Sequence, residues 1–592
     1  MAEYSGDKNE NHDPETLSSK RVAVDPGPAY AGDPHASPEK KPRGVAFASP
    51  LVQSLHEQPA APVDANAATS LRFGAASPGY PPLFSNQVFE DELLVGWGAA
   101  PALELCYNPL TLRVDSATLV TRGGDAASVS GSVSELARCL APVLQPGDEA
   151  RVAHRHLQPP GEAGAEATAV PHTSAVDQRA SPFAPPGVRV AAYEGRLGCG
   201  GAALFQAFLA SPREAIARDP GLREVFERQQ RLATWFIDGA SPIDLDDGRW
   251  EVLTLYASAL PTGAPAAAAT TTAGAAAPSA ATTAATVDAT VGFVTLFTFR
   301  NPFAGAKVRV CQALVLPPYQ RAGHGFRLLS AAYAACALAR PHVTEVTVED
   351  PAPGFVRLRD ATDLALCLRL ARGDPVVRVA APSSAGAPSG SGSGGGGIDG
   401  GAGGGGGEGS DGDAAAEVAE AAAAVVRAYD NATAAAAAPP SGGAAMALAE
   451  LVGQPLTPGA ASALAGFTRL TASQLALAHA ALGLRAVQRL QQATISSAAE
   501  AAAAAPEAAG AGVAAAAEAA AKALRLMVKR RLKGEHGDEL AELQAAARDP
   551  AAGREAVKAR LAELYEAYEA RLTATIRSAE VQLVSTFCFY GG

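Results

Sequence analysis

Two short stretches carry residue types and spacings that could do chemistry. The first is Gln320-Arg321-Ala322-Gly323-His324-Gly325. It follows an apolar run, Val308 to Leu316, that reads as a buried strand ended by Pro317 and Pro318, which cannot donate to a ladder. It precedes Phe326 to Leu338, where Leu328, Leu329, Ala332, Tyr333 and Cys336 recur at helical spacings. Strand, glycine-bearing turn and helix together aim backbone N–H groups outward at a helix N-terminus, a ready site for phosphate oxygens. A Cβ at Gly323 or Gly325 would hold a pyrophosphate away from those amides. The same pattern also suits a plain strand-to-helix turn, and a Gly-x-Gly-x-x-Gly at Gly392 to Gly397 is only low-complexity glycine. The second stretch is Glu349-Asp350, at the end of a predicted strand from Thr344 to Val348. Adjacent carboxylates in a half-buried site repel, which raises one pKa toward the range of a general base. The alternative is that Glu349-Asp350-Pro351 merely turns the chain.

The elements that must position these stretches alternate along the middle of the chain. A helix over Leu222 to Phe236 puts Val225, Phe226 and Leu232 on one face and leads into Trp235-Phe236-Ile237-Asp238. Asp244-Leu245-Asp246-Asp247 then precedes a strand over Trp250 to Tyr256. A low-complexity loop from Pro261 to Asp288 separates it from a strand over Thr290 to Phe299. Upstream, globular composition begins near Tyr80, and the acidic Glu90-Asp91-Glu92 precedes strands at Leu93 to Trp97 and Leu103 to Leu112. Arg151 to Ala180 has the composition of a surface insertion; its His154-x-His156 lacks the nearby carboxylates or thiols of a metal site. Val188 to Tyr193 and Ala202 to Leu209 add further alternating apolar character.

Downstream, Ser383 to Asp413 is a Gly/Ser linker and Ala415 to Ala438 a loose helix. A compact helical domain begins near Ala445, with an alanine-rich insertion from Thr494 to Ala521. Two amphipathic stripes, one through Leu524, Met527, Val528 and Leu532, the other through Val557, Leu561, Leu564, Tyr568 and Leu572, are expected to pack on each other. Lys529-Arg530-Arg531 is either a nuclear address or a charged helix face, and the apolar end Val581 to Tyr590 has no assigned role. The expected organisation is a disordered tail over 1–75, a substrate-side α/β domain over 76–233, a catalytic domain over 234–380, a linker over 381–442 and a helical domain over 443–580. The fold class is α+β.

Composition sets bounds on function. The 592 residues include 59 Gly and 43 Pro, so much of the chain is expected to lie outside any core. Sixty acidic against 48 basic residues give a formal charge of −12, which argues against direct nucleic-acid binding and for a basic protein partner. The seven cysteines are scattered and lack any Cys-x-x-Cys, as for buried thiols in a reducing compartment rather than a disulfide frame or a zinc site. No charged-then-apolar leader and no long run of strongly apolar residues is present, so no membrane association is expected.

The stretch Val310 to Gly325 resembles the acetyl-coenzyme A motif of the GNAT acetyltransferases. Trp235 to Ser241 with Ile243 to Trp250, and Val348-Glu349-Asp350-Pro351 with Leu358-Arg359-Asp360, narrow the resemblance to the type B histone acetyltransferases. It implies a GNAT core in α+β form, acetyl-CoA as cosubstrate with no metal, and lysines of the histone H4 tail as acceptor. It further implies a WD40-repeat histone-binding subunit as partner, and residence in nucleus and cytoplasm. Gln320, Arg321, Ala322, Gly323, His324, Gly325 and Phe326 would hold the cofactor with Leu314, Val315 and Leu316, whose splayed strand supplies an oxyanion-type N–H. By resemblance Glu349 is the general base, with Asp350 and Asp238 as secondary candidates; Asp238 stands where the family commonly has Glu. Arg359 either helps the coenzyme or pairs with Asp360, and Ala352 departs from the polar residue usual after Glu-Asp-Pro. Glu90 and Asp91 are candidate tail contacts or a solvated turn, and Asp244, Asp246 and Asp247 are expected to attract the basic tail. The rival expectations are a GNAT enzyme acting on another protein or a small amine, and a catalytically idle histone-binding module.

Overall fold

The computed structural model describes residues 62–95, 97, 101–122, 133–157, 183–197, 201–259, 287–301, 305–338, 340, 342–373, 411–438, 442–504, 508–583 and 588–589. In chain order these form β1 (Val63–Asp64), α1 (Ala65–Ala68), β2 (Thr69–Phe73), β3 (Leu93–Leu94), β4 (Ala102–Tyr107), β5 (Val114–Arg122), α2 (Val133–Cys139) and β6 (Val152–Leu157). Then come β7 (Val188–Arg196), β8 (Ala202–Ala210), α3 (Pro212–Arg218), α4 (Leu222–Ala233), β9 (Trp250–Ala259), β10 (Ala289–Asn301), β11 (Gly305–Val315), α5 (His324–Leu338), β12 (Val343–Val348) and α6 (Pro353–Arg372). The rest is α7 (Asp411–Ala437), α8 (Gly442–Gly453), α9 (Pro458–Thr468), α10 (Ala472–Ala504), α11 (Ala508–Glu535), α12 (Gly537–Ala546), α13 (Pro550–Leu583) and β13 (Cys588–Phe589). The class is α+β. Among the described residues no helix is long and apolar enough to cross a membrane.

A seven-stranded sheet in the order β12-β11-β10-β9-β8-β7-β13 organises the chain. It is antiparallel except for the β11–β12 pair, which is parallel and joined through α5. Its strands feed two cores. β9 sends Leu253, Leu255 and Ala257 into one, shared with α5, α6 and the C-terminal helices, and Val252 into the other, shared with α4 and the four-stranded sheet β2-β4-β5-β6. Burial on both faces explains the near-continuous apolar character of these strands. On β11 the allegiance switches midway: Leu296 pairs with Val310 and Thr295 with Gln312, leaving Cys311 as an extra bulged residue. Ala306, Val308 and Val310 therefore enter the first core, whereas Leu314 and Leu316 enter the second.

Several boundaries differ from the sequence expectation. Residues 69–73, placed in the polar tail, are β2, the edge strand of the four-stranded sheet, whose alternating burial matches a strand with one face in the core. His154 is not in a surface insertion but on β6, where its ring bonds Thr121 Oγ1 at 3.0 Å; the part of that stretch beyond Leu157 lies outside the described residues. Residues 411–437 form a helix, as expected over Ala415 to Ala438, but a packed one rather than part of a linker, because Ala422, Ala423, Val426 and Tyr429 are buried. The alanine-rich stretch likewise continues α10 and opens α11, where Ala516, Ala517 and Ala520 let helices approach closely. At the C-terminal end, Cys588 and Phe589 pair with Ala192 and Ala191 of β7. Residues 1–61 of the tail expected to be disordered, the bulk of the Pro261 to Asp288 stretch and the Gly/Ser-rich stretch up to 410 lie outside the described residues.

The C-terminal helices grip α6. Buried Asp360 accepts from Arg571 Nε at 2.7 Å, and buried Asp363 accepts from Gln474 Nε2 at 2.8 Å. Burial pushes the Asp363 carboxyl up to about 7. Arg469 O accepts from Val346 N at 2.9 Å, so the helical layer also occupies the outer edge of β12.

Candidate active site

β11 and β12 run together only as far as the pair Val310–Val348. Glu349 N then donates to Val310 O at 2.9 Å, after which the chain turns away into α6 while β11 continues to Val315. The β11 edge beyond the bulge thus faces no strand among the described residues. Which groups it offers follows from the register. Leu316 N donates to Val291 O at 2.9 Å, so alternation turns Gln312 and Leu314 toward β10 and leaves the backbones of Ala313 and Val315 on the open side. Gln320 Nε2 already donates to Val315 O from that side, at 2.9 Å. Of the three strand candidates, Val315 presents its backbone there; Leu314 and Leu316 instead contribute buried side chains. Ala313 was missed, because alternation cannot be phased until the bulge is known.

The turn beyond β11 is shaped for close approach. Arg321 and Gly323 have φ of 65° and 83°, the left-handed region. A Cβ at Gly323 would meet no backbone, only side-chain ends, whereas one at Gly325 would meet Leu358 Cδ2 at 3.2 Å. Gly323 therefore keeps a surface open, and Gly325 lets α5 pack on α6. The first amides of α5, from His324 to Phe326, lie at that surface. Gln320, Arg321 and Ala322 are partly or wholly exposed around it. The side chains of His324 and Phe326 turn inward. Nδ1 of His324 bonds Tyr193 Oη at 2.6 Å and its ring lies 4.4 Å from that of Phe205. Burial, with the Arg327 charge beside it, pushes His324 down to about 4, so the ring stays neutral.

Glu349 stands exposed at the mouth of the opening, with Arg309 Nη1 3.7 Å from its Oε1. The bulged Cys311 lies beside it: burial, followed by the neighbouring carboxylate, pushes that thiol up to about 12. Asp350 is exposed with φ of 30°, a strained conformation for a non-glycine residue at a turn. Asp238 accepts from Asn86 Nδ2 at 3.2 Å. Its loop is tied to the same bulge through Gln312 Nε2, which donates to Ser241 O at 2.8 Å. Arg359 does not pair with Asp360, which Arg571 holds; its buried Nε has no partner among the described residues.

The acidic candidates fare differently. Residues 83–92 lie across the Trp235 loop, Leu83 N and Phe84 N both donating to Trp235 O, at 2.8 and 3.1 Å. The same segment reaches Asp238 through Asn86 and carries the exposed Glu90 and Asp91. Asp246 pairs with Arg223 at 2.6 Å and Asp247 with Arg249 at 2.7 Å, while Asp244 accepts from Asp246 N at 3.0 Å. The arginines thus neutralise two of the three carboxylates expected to attract a basic tail, which sequence spacing could not reveal.

One arrangement therefore gathers an open strand edge, a glycine turn at a helix N-terminus and a carboxylate at the next strand's end. The chain is similar to type B histone acetyltransferase catalytic subunits. It is 33% identical over 147 residues to "Histone acetyltransferase type B catalytic subunit" of Rattus norvegicus, covering 25% of this chain and 30% of the relative. The relative of that name from Homo sapiens gives the same figures. That from Aspergillus oryzae is 29% identical over 201 residues, 32% of this chain and 36% of the relative. The chain spans about a third of the length of the curated relatives it matches. No family model matches the chain.

Proposed function

We propose that this chain transfers acetyl from acetyl-CoA to lysine side chains of a histone tail, that of newly made H4, from a GNAT-type core spanning β9 to α6. The observation that carries the reading is the opening itself: β11 runs on past β12 between the Gly323 turn and Glu349. Similarity to the acetyltransferase subunits supports it.

The residues fit the group. The amides from Gly323 to Phe326 would hold its phosphates, and the backbones of Ala313 and Val315 its acyl arm. Acetyl-CoA supplies the activated thioester. The chain must supply a neutral amine, and lysine's ordinary pKa of about 10.4 makes that cost about 4 to 5 kcal/mol at neutral pH. Glu349 takes the ammonium proton, directly or through water. The exposed Glu90, Asp91 and Asp238 give the acceptor side a negative rim. The resemblance adds a WD40-repeat histone-binding partner and residence in nucleus and cytoplasm.

Neutralisation of Asp246 and Asp247 by arginines favours a second reading, in which the acceptor is a less basic protein or a small amine. Incubation with acetyl-CoA and an H4 tail peptide, followed by mass, separates them. An acetylated peptide is expected; coenzyme release only with other amines would favour the second reading, and peptide binding without turnover would leave a histone-binding module.

A further inference from the structure

The open side of Gly323 is not bare. A Cβ built there would lie 3.4 Å from Arg327 Nη1, 3.5 Å from Gln582 Oε1 and 3.8 Å from Gln582 Nε2. Gln582 sits more than two hundred residues downstream, in the last turn of α13. Its approach is anchored: Arg369, buried on α6, donates Nη2 to Gln582 O at 2.9 Å. The Arg571–Asp360 pair holds α13 against α6 a few turns earlier. Arg327 is held as well, its guanidinium 4.4 Å over the Tyr193 ring with Nη1 donating to Ala322 O at 3.3 Å.

A guanidinium from α5 and a carboxamide from α13 thus converge on the space that the missing Cβ leaves beside the turn. Both are good partners for a dianionic group: Arg supplies charge and several N–H donors, and the amide adds one more without bringing a negative charge. We propose that Arg327 and Gln582 are the side chains that grip the phosphates of the acyl donor, so that α13 completes the coenzyme site. This rests on the acetyl-CoA reading above and names residues that neither the turn motif nor the open strand edge contains.

The test measures coenzyme A binding by calorimetry for the full chain and for Gln582→Ala and Arg327→Gln. Loss of a hydrogen bond to a charged group should raise Kd by roughly ten-fold for Gln582→Ala. Arg327→Gln should raise it more and flatten its dependence on ionic strength. Both losses should shrink on acetyl-pantetheine, which lacks the phosphates. The backbone bond from Arg369 to residue 582 survives the alanine, so folding should hold, and an unchanged melting temperature checks this. Unchanged Kd in both variants, or tighter binding in Gln582→Ala from unblocking of the turn, would overturn the inference while leaving the acetyl-CoA reading intact. Full-length chain that bound no coenzyme A would overturn that reading, and this inference with it.

Discussion

His324 makes the protein lose stability in acid by an amount that follows from its surroundings. The ring is 2% exposed, bonded to Tyr193, tilted against Phe205 and beside the Arg327 charge. Its pKa falls from 6.5 to about 4 on folding. Above 6.5 the ring is neutral in both states and contributes no pH dependence. Between 6.5 and 4 the unfolded chain takes up a proton that the native state refuses, so stability falls as pH falls, and below 4 the loss is complete. At 1.36 kcal/mol per pKa unit the loss totals about 3 kcal/mol. Urea unfolding at pH 7, 6, 5 and 4.5 would read it, with His324→Gln as reference, since Gln can still bond Tyr193 but cannot titrate. Other groups, including buried His479, which burial also holds low, are common to both proteins and cancel in the difference. The wild type should lose about 2 kcal/mol more than the variant between pH 7 and 4.5. Parallel curves would refute the account and mean that the ring protonates in place.

Glu349→Gln keeps shape and removes the proton acceptor, so kcat should fall by roughly a hundred- to ten-thousand-fold while the Kd of coenzyme A holds; a near-normal rate with an intact acidic limb in the pH profile would move the role to Asp350 or Asp238. Gly323→Ala should cost about 1 kcal/mol of stability, because its φ of 83° strains any side chain, and should weaken coenzyme A binding besides; melting and calorimetry read the two separately, and loss of stability alone would make this a packing glycine. Ala352 caps α6 without a side-chain hydrogen bond, so Ala352→Ser should raise stability by about 1 kcal/mol, which a melting curve would register.

What could be read in advance was local. The turn at Gln320 to Gly325 and the carboxylates at Glu349 and Asp350 stood out because strand ends, glycines and prolines act within a few residues. The order of elements from β9 to β12 was legible for the same reason, whereas the helix α6 was not read. The Cys311 bulge was not: even-numbered positions are buried on both sides of it, so the sequence looks like one uninterrupted strand while the structure divides it between two cores. Nor could spacing reveal that Arg223 neutralises Asp246, or that Gln582 reaches Gly323, since both are encounters between distant segments. Alanine misled in the other direction. Its low side-chain bulk reads as low complexity, yet it lets α7, α10 and α11 pack closely.

The grip of the C-terminal helices on α6 bears on portability. The part of the chain that resembles other proteins looks like a unit that could be lifted out and fused elsewhere. A protein ended at Arg372 would carry α6 with Leu364, Cys367 and Leu368 turned to water, and with the Asp360 carboxylate stripped of its arginine. It would also uncover the edge of β12 that Arg469 now occupies, a free strand inviting other strands to join it. The core from β9 to α6 is thus a half whose complement, α7 to α13, lies further along the same chain, and a graft that takes one must take both.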